Sequence, residues 1–257
     1  MHLSTRRILT AVAVVGTAVS TLAACGGGTS GGQKTSADST PVVTAPSPTP
    51  TPTADPFAGM TADQIVKQAE TAMAAATSLR VKGAMTDSGT HGTIDMVMVK
   101  GVGCQGTVDL SDEGGMSIVT LGKTIYLKLD STFLKAMGLG SRASRLKGKY
   151  VKTTDSNKDL AAMASFCDLN TFAHGGTSSG DTYTKGGLST VGGQQVLSLK
   201  DNSDNSSVLV TVAAPHRVVQ INGPTAADGS VTVTYDVAAH ITPPPASEVV
   251  SAATVGM

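Results

Sequence analysis

Apolar positions change their spacing along this chain, and the changes divide it. Ile65, Ala69, Ala72, Met73 and Ala76 recur every three or four residues behind Thr61-Ala62-Asp63-Gln64. That tetrad is a capping box, in which the Thr hydroxyl and the Gln side chain satisfy first-turn amides, so the spacing predicts a helix over about 61–77. Its apolar stripe is narrow and small-sided, which lets it approach a sheet closely. From Leu79 the period falls to two. Leu79, Val81 and Met85 alternate with Arg80, Lys82 and Thr86, and Asp87-Ser88-Gly89 turns the chain. Ile94, Met96 and Met98 share one side of the next strand. Gly106–Leu110, Met116–Leu121 and Thr124–Leu129 extend the meander, with turns at Asp112-Glu113-Gly114-Gly115 and Gly122-Lys123. Polar and glycine turns between short alternating runs predict an antiparallel sheet.

The alternation stops at Ser131. Phe133, Leu134, Met137 and Leu139 predict a short helix, Gly148–Lys152 a return segment, and Asp159–Phe172 a further helix. His174–Gly180 reads as a flexible joint. Strands resume at Leu188–Thr190, Gln195–Leu199, Ser207–Val212, His216–Asn222 and Ser230–Asp236, with turns at Gly192-Gly193, Asp201–Ser206 and Ala226–Gly229. Pro243-Pro244-Pro245 is expected to end regular structure, with Ala246–Val250 as a last short turn of helix and 251–257 as a tail. Helix, strands, helices, strands in that order is an α+β chain, with a large antiparallel sheet and its helices gathered on one face.

The first 59 residues follow neither period. Arg6 and Arg7 precede an apolar run from Ile8 to Val19, the charged start and short core of a secretory signal, too short to stay as a spanning helix. Residues 1–24 are therefore expected to be removed. The run ends in Leu22-Ala23-Ala24-Cys25, a small-residue cleavage site closing on a cysteine, which resembles the lipobox of bacterial lipoproteins. In that class the thiol receives a diacylglycerol, the signal is cut before the Cys, and the protein stays on the extracytoplasmic face of the cell membrane. Each buried CH₂ contributes ~0.8 kcal/mol, so two or more chains anchor firmly where one does not. Residues 25–59 then read as a tether. Gly26-Gly27-Gly28 opens it, and Pro41, Pro46, Pro48, Pro50, Pro52 and Pro56 stand among Thr and other small residues with little apolar surface to offset ordering. The folded domain is expected over 60–250.

Composition narrows the function. The whole chain carries 19 basic and 19 acidic residues; without Arg6 and Arg7 the basic count is 17. A near-neutral chain with no basic cluster argues against nucleic acid as a partner. There is no Trp, and four Phe and four Tyr stand against ten Met, so the interior must be aliphatic and adaptable. Of three cysteines the anchor consumes Cys25. Cys104 and Cys167 remain in an oxidising compartment, an even pair that is expected to form a disulfide.

Letters that suggest catalysis lack their context. Ser144-Arg145-Leu146-Lys147 and Ser203-Asp204-Asn205 match two motifs of penicillin-recognising enzymes, but Gly148 follows the Lys at once and no K-T-G comes after. Gly176–Gly180 fits G-x-S-x-G, yet a helix precedes it and strands follow, the reverse of a nucleophile elbow. His91, His174, His216 and His240 lie far apart in turns or at strand ends, without ligand spacing. Neither an enzyme, a metal site nor a cofactor is expected.

The order of phrases resembles the LppX/LprAFG lipoprotein family of actinomycetes. It is carried by the lipobox, the Thr/Pro tether and the opening helix. The Leu79-Arg80-Val81 strand, Gly122–Lys128, Gly148–Lys152, Phe166-Cys167-Asp168-Leu169 and Ile241–Pro245 continue it. The resemblance implies a half-barrel of antiparallel strands with helices over the concave face, similar to the lipoprotein carrier LolA. It further implies acyl chains, such as palmitate, held in the space between, and lipids or lipoglycans moved through the cell envelope. A membrane transporter is a further partner it allows, and the chain is expected to act as a monomer. On the residues themselves, the face carrying Met96, Met98, Ile118, Leu127 and Leu129 is expected to line an apolar cavity, with Ala69, Ala72 and Ala76 of the covering helix opposite. Whether those strand sides coincide depends on register. The competing expectation is that the same side chains pack as a solid core. A rival function is a regulatory or scaffolding envelope lipoprotein with no lipid bound.

Overall fold

The computed structural model describes residues 56–87, 89–175 and 181–257. The signal, Cys25, most of the tether and Gly176–Gly180 lie outside them.

Helix α1 (Ala62–Ala75) starts where the capping box sets it: Gln64 N donates to Thr61 Oγ1 at 3.2 Å and Thr61 N to Gln64 Oε1 at 2.8 Å. It buries Ala62, Ile65, Val66, Ala69 and Met73. A first meander follows in β1 (Ser78–Asp87), β2 (Thr90–Val99), β3 (Gly103–Leu110), β4 (Gly114–Leu121) and β5 (Thr124–Leu129). An insert then carries α2 (Ser131–Ala136), α3 (Ala143–Leu146), β6 (Tyr150–Thr154), α4 (Lys158–Ala162) and α5 (Leu169–Gly175). The second meander is β7 (Tyr183–Val191), β8 (Gln194–Asp201), β9 (Ser207–Thr211), β10 (Val218–Asn222) and β11 (Gly229–Tyr235), and β12 (Val249–Ser251) closes the chain. All twelve strands form one open sheet in the order β12-β6-β5-β4-β3-β2-β1-β11-β10-β9-β8-β7. The meanders join where β11 pairs with β1, Leu79 opposite Tyr235 and Val81 opposite Val233. Among the described residues only the β12–β6 pair is parallel.

This is the α+β antiparallel half-barrel the sequence leads one to expect, with the helices as a minor layer. Its curvature has a local cause. A Cβ at Gly106 would run into the Asp95 carbonyl and the Met96 backbone, and one at Gly83 into the Ser230 carbonyl and the Val231 backbone. Glycine at these two places lets adjacent strands approach more closely than any side chain permits.

Three boundaries differ from expectation. The helix expected over Asp159–Phe172 is two α-helices separated by a 3₁₀ turn at Ser165–Cys167. Asp168 restarts the second: its backbone is extended and its Oδ1 accepts from Thr171 N at 2.7 Å. Regular structure does not end at the prolines. After a 3₁₀ turn at Ala246–Glu248 the chain re-enters the sheet as β12, and in the expected tail Ala252 is only 6% exposed. Phe57, within the expected tether, is 1% exposed and packs on the His216 ring at 4.7 Å between centroids.

The route from β11 to β12 explains the prolines. Seven strand spacings separate the two, about 34 Å at ~4.8 Å each. The fourteen steps from Tyr235 to Val249 reach about 43 Å only when nearly fully extended, at the ~3.1 Å per residue of polyproline II. Pro243-Pro244-Pro245 pre-sets that extension and removes donors that would otherwise need partners. The strap crosses the outer face of the first meander. Thr242 N donates to Gln105 Oε1 at 3.4 Å, Lys149 Nζ donates to the Ser247 carbonyl at 2.7 Å, and Val119, Gln105's cross-strand neighbour, is 6% exposed.

Candidate functional site: the concave apolar layer and its open end

Register decides which side chains meet. The two-residue turn Gly122-Lys123, with Gly122 at φ 55°, places Leu121 opposite Thr124 and hence Ile118 opposite Leu127. Continuing across the pairs, Val81, Met96, Gly106, Ile118, Leu127 and Val151 form one row on the concave face. Leu79, Met98, Cys104, Thr120, Ile125 and Thr153 form the row on one side of it. Ile94, Val108, Met116 and Leu129 form the row on the other. The strand sides carrying Met96, Met98, Ile118, Leu127 and Leu129 therefore coincide.

Burial grades along these rows. In the first two, Leu79, Met96, Met98, Cys104 and Leu127 are wholly inaccessible. One row further on, Ile94, Val108 and Met116 are half-buried, and beyond them so are Met85 and Leu110. The layer is solid under the insert and uncovered toward the hairpin end of β1–β4. A cleft of about 750 Å³ opens there, with Val108, Met116 and Leu129 as floor and Leu134 of α2 and Ala143 of α3 as the opposite wall. Of the five strand residues expected to line a cavity, only Leu129 reaches it.

The alanines expected opposite those strands lie elsewhere. Ala69 and Ala76 are buried and Ala72 is half-buried, but α1 packs chiefly on α5, β7 and β10. Its start is pinned to that half of the sheet: Tyr183 N donates to Asp63 Oδ1 at 2.9 Å, and Lys185 Nζ to the Phe57 carbonyl at 2.8 Å. The first meander is covered instead by α2 on β4 and by the Ser165–Cys167 turn on β3. A disulfide fixes that turn, joining Cys104 to Cys167 with Cα atoms 5.3 Å apart. A second cleft, about 640 Å³, lies beside it between Val99–Gly103 and Ala161–Asn170.

The rim of the first cleft is polar. Asp130 caps α2 and takes N–H donors from Phe133 at 2.7 Å and Gly115 at 2.8 Å. Burial pushes its carboxyl up, but these amides and that of Thr132 outweigh it and leave the group below the ordinary carboxylate range. Asp109 is exposed at the rim. Lys147, the C-cap of α3, is exposed there, whereas Lys128 alternates with Leu129 onto the outer face of the sheet, where its Nζ lies 4.6 Å from the centre of the Tyr150 ring. Among the described residues neither lysine pairs with a carboxylate.

The catalytic letters stay apart. Ser144 lines this cleft, whereas Ser203 sits in the β8–β9 turn across the sheet, where its Oγ donates to Asp201 Oδ1 at 2.6 Å. Gly176–Gly180 is outside the described residues. His174 stands 3.7 Å from Glu70, and His216 Nδ1 3.1 Å from the Thr211 carbonyl. Among the described residues no three His, Cys, Asp or Glu come together as a metal site, and no helix is long and apolar enough to cross a membrane.

Sequence reasoning named the solid part of the layer and missed its open end. The signal was there, since Met116 shares the period of Ile118, and Val108 lies opposite Met116. Lys147 carried no such signal, because α3 is a single helical turn following a 3₁₀ turn.

A twelve-stranded open half-barrel with an apolar concave layer is the class that this fold defines. No family model matches the chain, and neither does any curated protein. Among solved structures it is similar to LprF from Mycobacterium bovis, with 13% identity and a TM-score of 0.40 over 71% of this chain and 96% of that one. It is also similar to an uncharacterised conserved protein from Thermus thermophilus, with 10% identity and a TM-score of 0.37 over 74% and 98%. A putative outer membrane lipoprotein-sorting protein domain from Vibrio parahaemolyticus follows, with 11% identity and a TM-score of 0.25 over 69% and 90%. Likenesses at these values say nothing of function.

Proposed function

We propose that this protein is a membrane-anchored, extracytoplasmic lipoprotein that binds acyl chains and carries or presents lipids or lipoglycans in the cell envelope, without catalysing a reaction. Cys25 carries the anchor, and membrane lipids are the partners. The observation that supports this reading is the gradient on the concave face. An apolar layer continuous across β1–β6 stays partly uncovered at one end, where a monomer in water has no use for half-exposed Met85, Ile94, Val108 and Met116. Met is suited to such a surface because it adapts to chains of varied shape. An acyl chain entering there follows the floor of the cleft and parts the short insert helices, none longer than seven residues.

A second reading has its own support. Met96, Met98 and Leu127 are wholly buried, as they would be in a solid core beneath a regulatory or scaffolding module. Anchoring and binding are tested together. Cys25→Ala should move the protein from the membrane to the soluble fraction while uptake of a fluorescent fatty acid persists. A variant that stays in the membrane fraction removes the anchor, and a soluble protein that takes up no fatty acid favours the second reading.

A further inference from the structure

Charge is spread unevenly over this neutral chain. From Ser131 to Thr154 there are six cations and no acid, whereas the rest of residues 56–257 holds ten cations and seventeen acids. No two of the six are adjacent in sequence, so the letters show no basic cluster. The fold makes one. α2, the 3₁₀ turn at Gly140–Arg142 and α3 pack on one another, and Gly140 lies against the stem of the Lys135 side chain. Lys135, Arg145 and Lys147 are exposed and Arg142 is half-buried. Among the described residues none of these four pairs with a carboxylate. Lys149 is held at the strap by the Ser247 carbonyl, and Lys152 lies on the outer face, 6.0 Å from the Tyr126 ring. The acids on adjoining elements gather at the start of α2. Asp130 caps it through two backbone amides, and Asp112-Glu113 precede Gly114, which lies against Thr132.

The same segment keeps apolar surface in water. Phe133, Met137 and Leu139 are half-buried around these cations. Leu134 and Ala143, on the other side of the same elements, form the wall of the first cleft. Long cationic side chains beside partly uncovered apolar groups suit a lipid–water interface, where stems lie on acyl surface and charges meet headgroups.

We infer that this α2–α3 face docks on the anionic phospholipid surface of a bilayer and so brings the mouth of the cleft to the membrane from which it takes or returns acyl chains. The inference deepens the lipid-carrying reading above and rests on it. Charge complementarity selects the surface: a face of six cations meets the negative headgroups while the acidic remainder of the domain is held away from them, so the field orients as well as attracts. An anchor on Cys25 would keep this face close to its own bilayer, so that docking becomes an event within one molecule and weak contacts suffice.

The test is co-sedimentation of the Cys25→Ala protein, in which no anchor contributes, with vesicles of phosphatidylcholine alone or mixed with phosphatidylglycerol. The protein should bind the mixed vesicles and not the neutral ones, and added salt should release it. Each cation at an anionic surface strengthens binding about fivefold, so Lys135→Gln with Arg145→Gln should weaken it about twentyfold. Lys67→Gln with Lys200→Gln, the same change of net charge at exposed sites outside the insert, should leave it within about twofold, because charges farther than a Debye length are screened. An unchanged melting temperature checks that each double variant is folded. Equal losses in the two variants would mean that net charge rather than this face binds, and would overturn the inference. So would equal binding to neutral and mixed vesicles, or no binding to either. Uptake of a fluorescent fatty acid from solution is measured alongside, and neither Lys135 nor Arg145 lines the cleft. Vesicle docking without any uptake would overturn the acyl-binding reading and leave the docking face standing; uptake without docking would do the reverse.

Discussion

Met98→Arg abolishes folding, whereas Met116→Arg, on the same face of the same sheet, leaves the protein folded and empties it of lipid. Met98 has no accessible surface and lies between Leu79 and Cys104 in its row. An arginine there buries a charge with no partner within the apolar layer, at a cost of about 4 kcal/mol or more. That is much of the ~5–15 kcal/mol by which a domain is stable. Met116 is half-buried at the cleft floor, so an arginine there reaches water. The expected loss is about 1 kcal/mol, a few degrees of melting temperature for a domain of this size. Thermal melts followed by extraction and mass analysis separate the two variants. A cooperative melt for Met98→Arg would show that the inner rows are open to water. An unfolded Met116→Arg would show that the cleft is closed in solution.

Loss of the Cys104–Cys167 bridge has the second largest effect. It closes a loop across a sequence separation of 63 residues, and such a loop stabilises by roughly 4 kcal/mol in the chain-entropy model. Cys104→Ala with Cys167→Ala should lower the melting temperature by roughly 10 °C. The loss concentrates where the bridge acts, because the Ser165–Cys167 segment is a single 3₁₀ turn that the bridge ties to β3. Hydrogen exchange in α4 and α5 should rise in the variant before it rises in β1 and β2. Alkylation of the unreduced, denatured wild type should label neither thiol. Labelling of both, or a melt unchanged by the double substitution, would contradict the bridge's role.

Local chemistry was legible where one element decides its own form. Thr61 and Gln64 announce the start of α1, and alternation from Leu79 and from Leu188 announces both meanders. Asp168 announced the break in the insert, as an acceptor three residues before Thr171, but the apolar spacing of Leu160, Met163 and Phe172 spanned it and masked the cap. What stayed hidden depends on distant partners. Phe57 looks like tether until the His216 ring is placed beside it. Val249–Ser251 is a strand only because the strap delivers it to β6, and three residues carry no period of their own. Proline read as a stop was in fact the stiffener of a crossing. The site divides in the same way. Periodicity places Met96, Met98, Ile118, Leu127 and Leu129 on strand faces, but which row the insert covers follows from the packing of α2 and the Ser165–Cys167 turn. The open row therefore fell one step from where sequence pointed. Ala69, Ala72 and Ala76 were assigned to the wrong strands because nothing in α1 encodes that its start is held by Tyr183 and Lys185.

The claim at the centre of this account is that the concave layer holds a lipid other than the one on Cys25. The protein purified in mild detergent from the membrane of the cell that makes it, weighed first native and then denatured, decides that most directly. The account predicts a native mass exceeding the denatured mass by one non-covalent lipid, with the diacylglyceryl group remaining on Cys25 after denaturation. Equal native and denatured masses, from a protein that melts cooperatively and takes up no lipid from anionic vesicles, would contradict it.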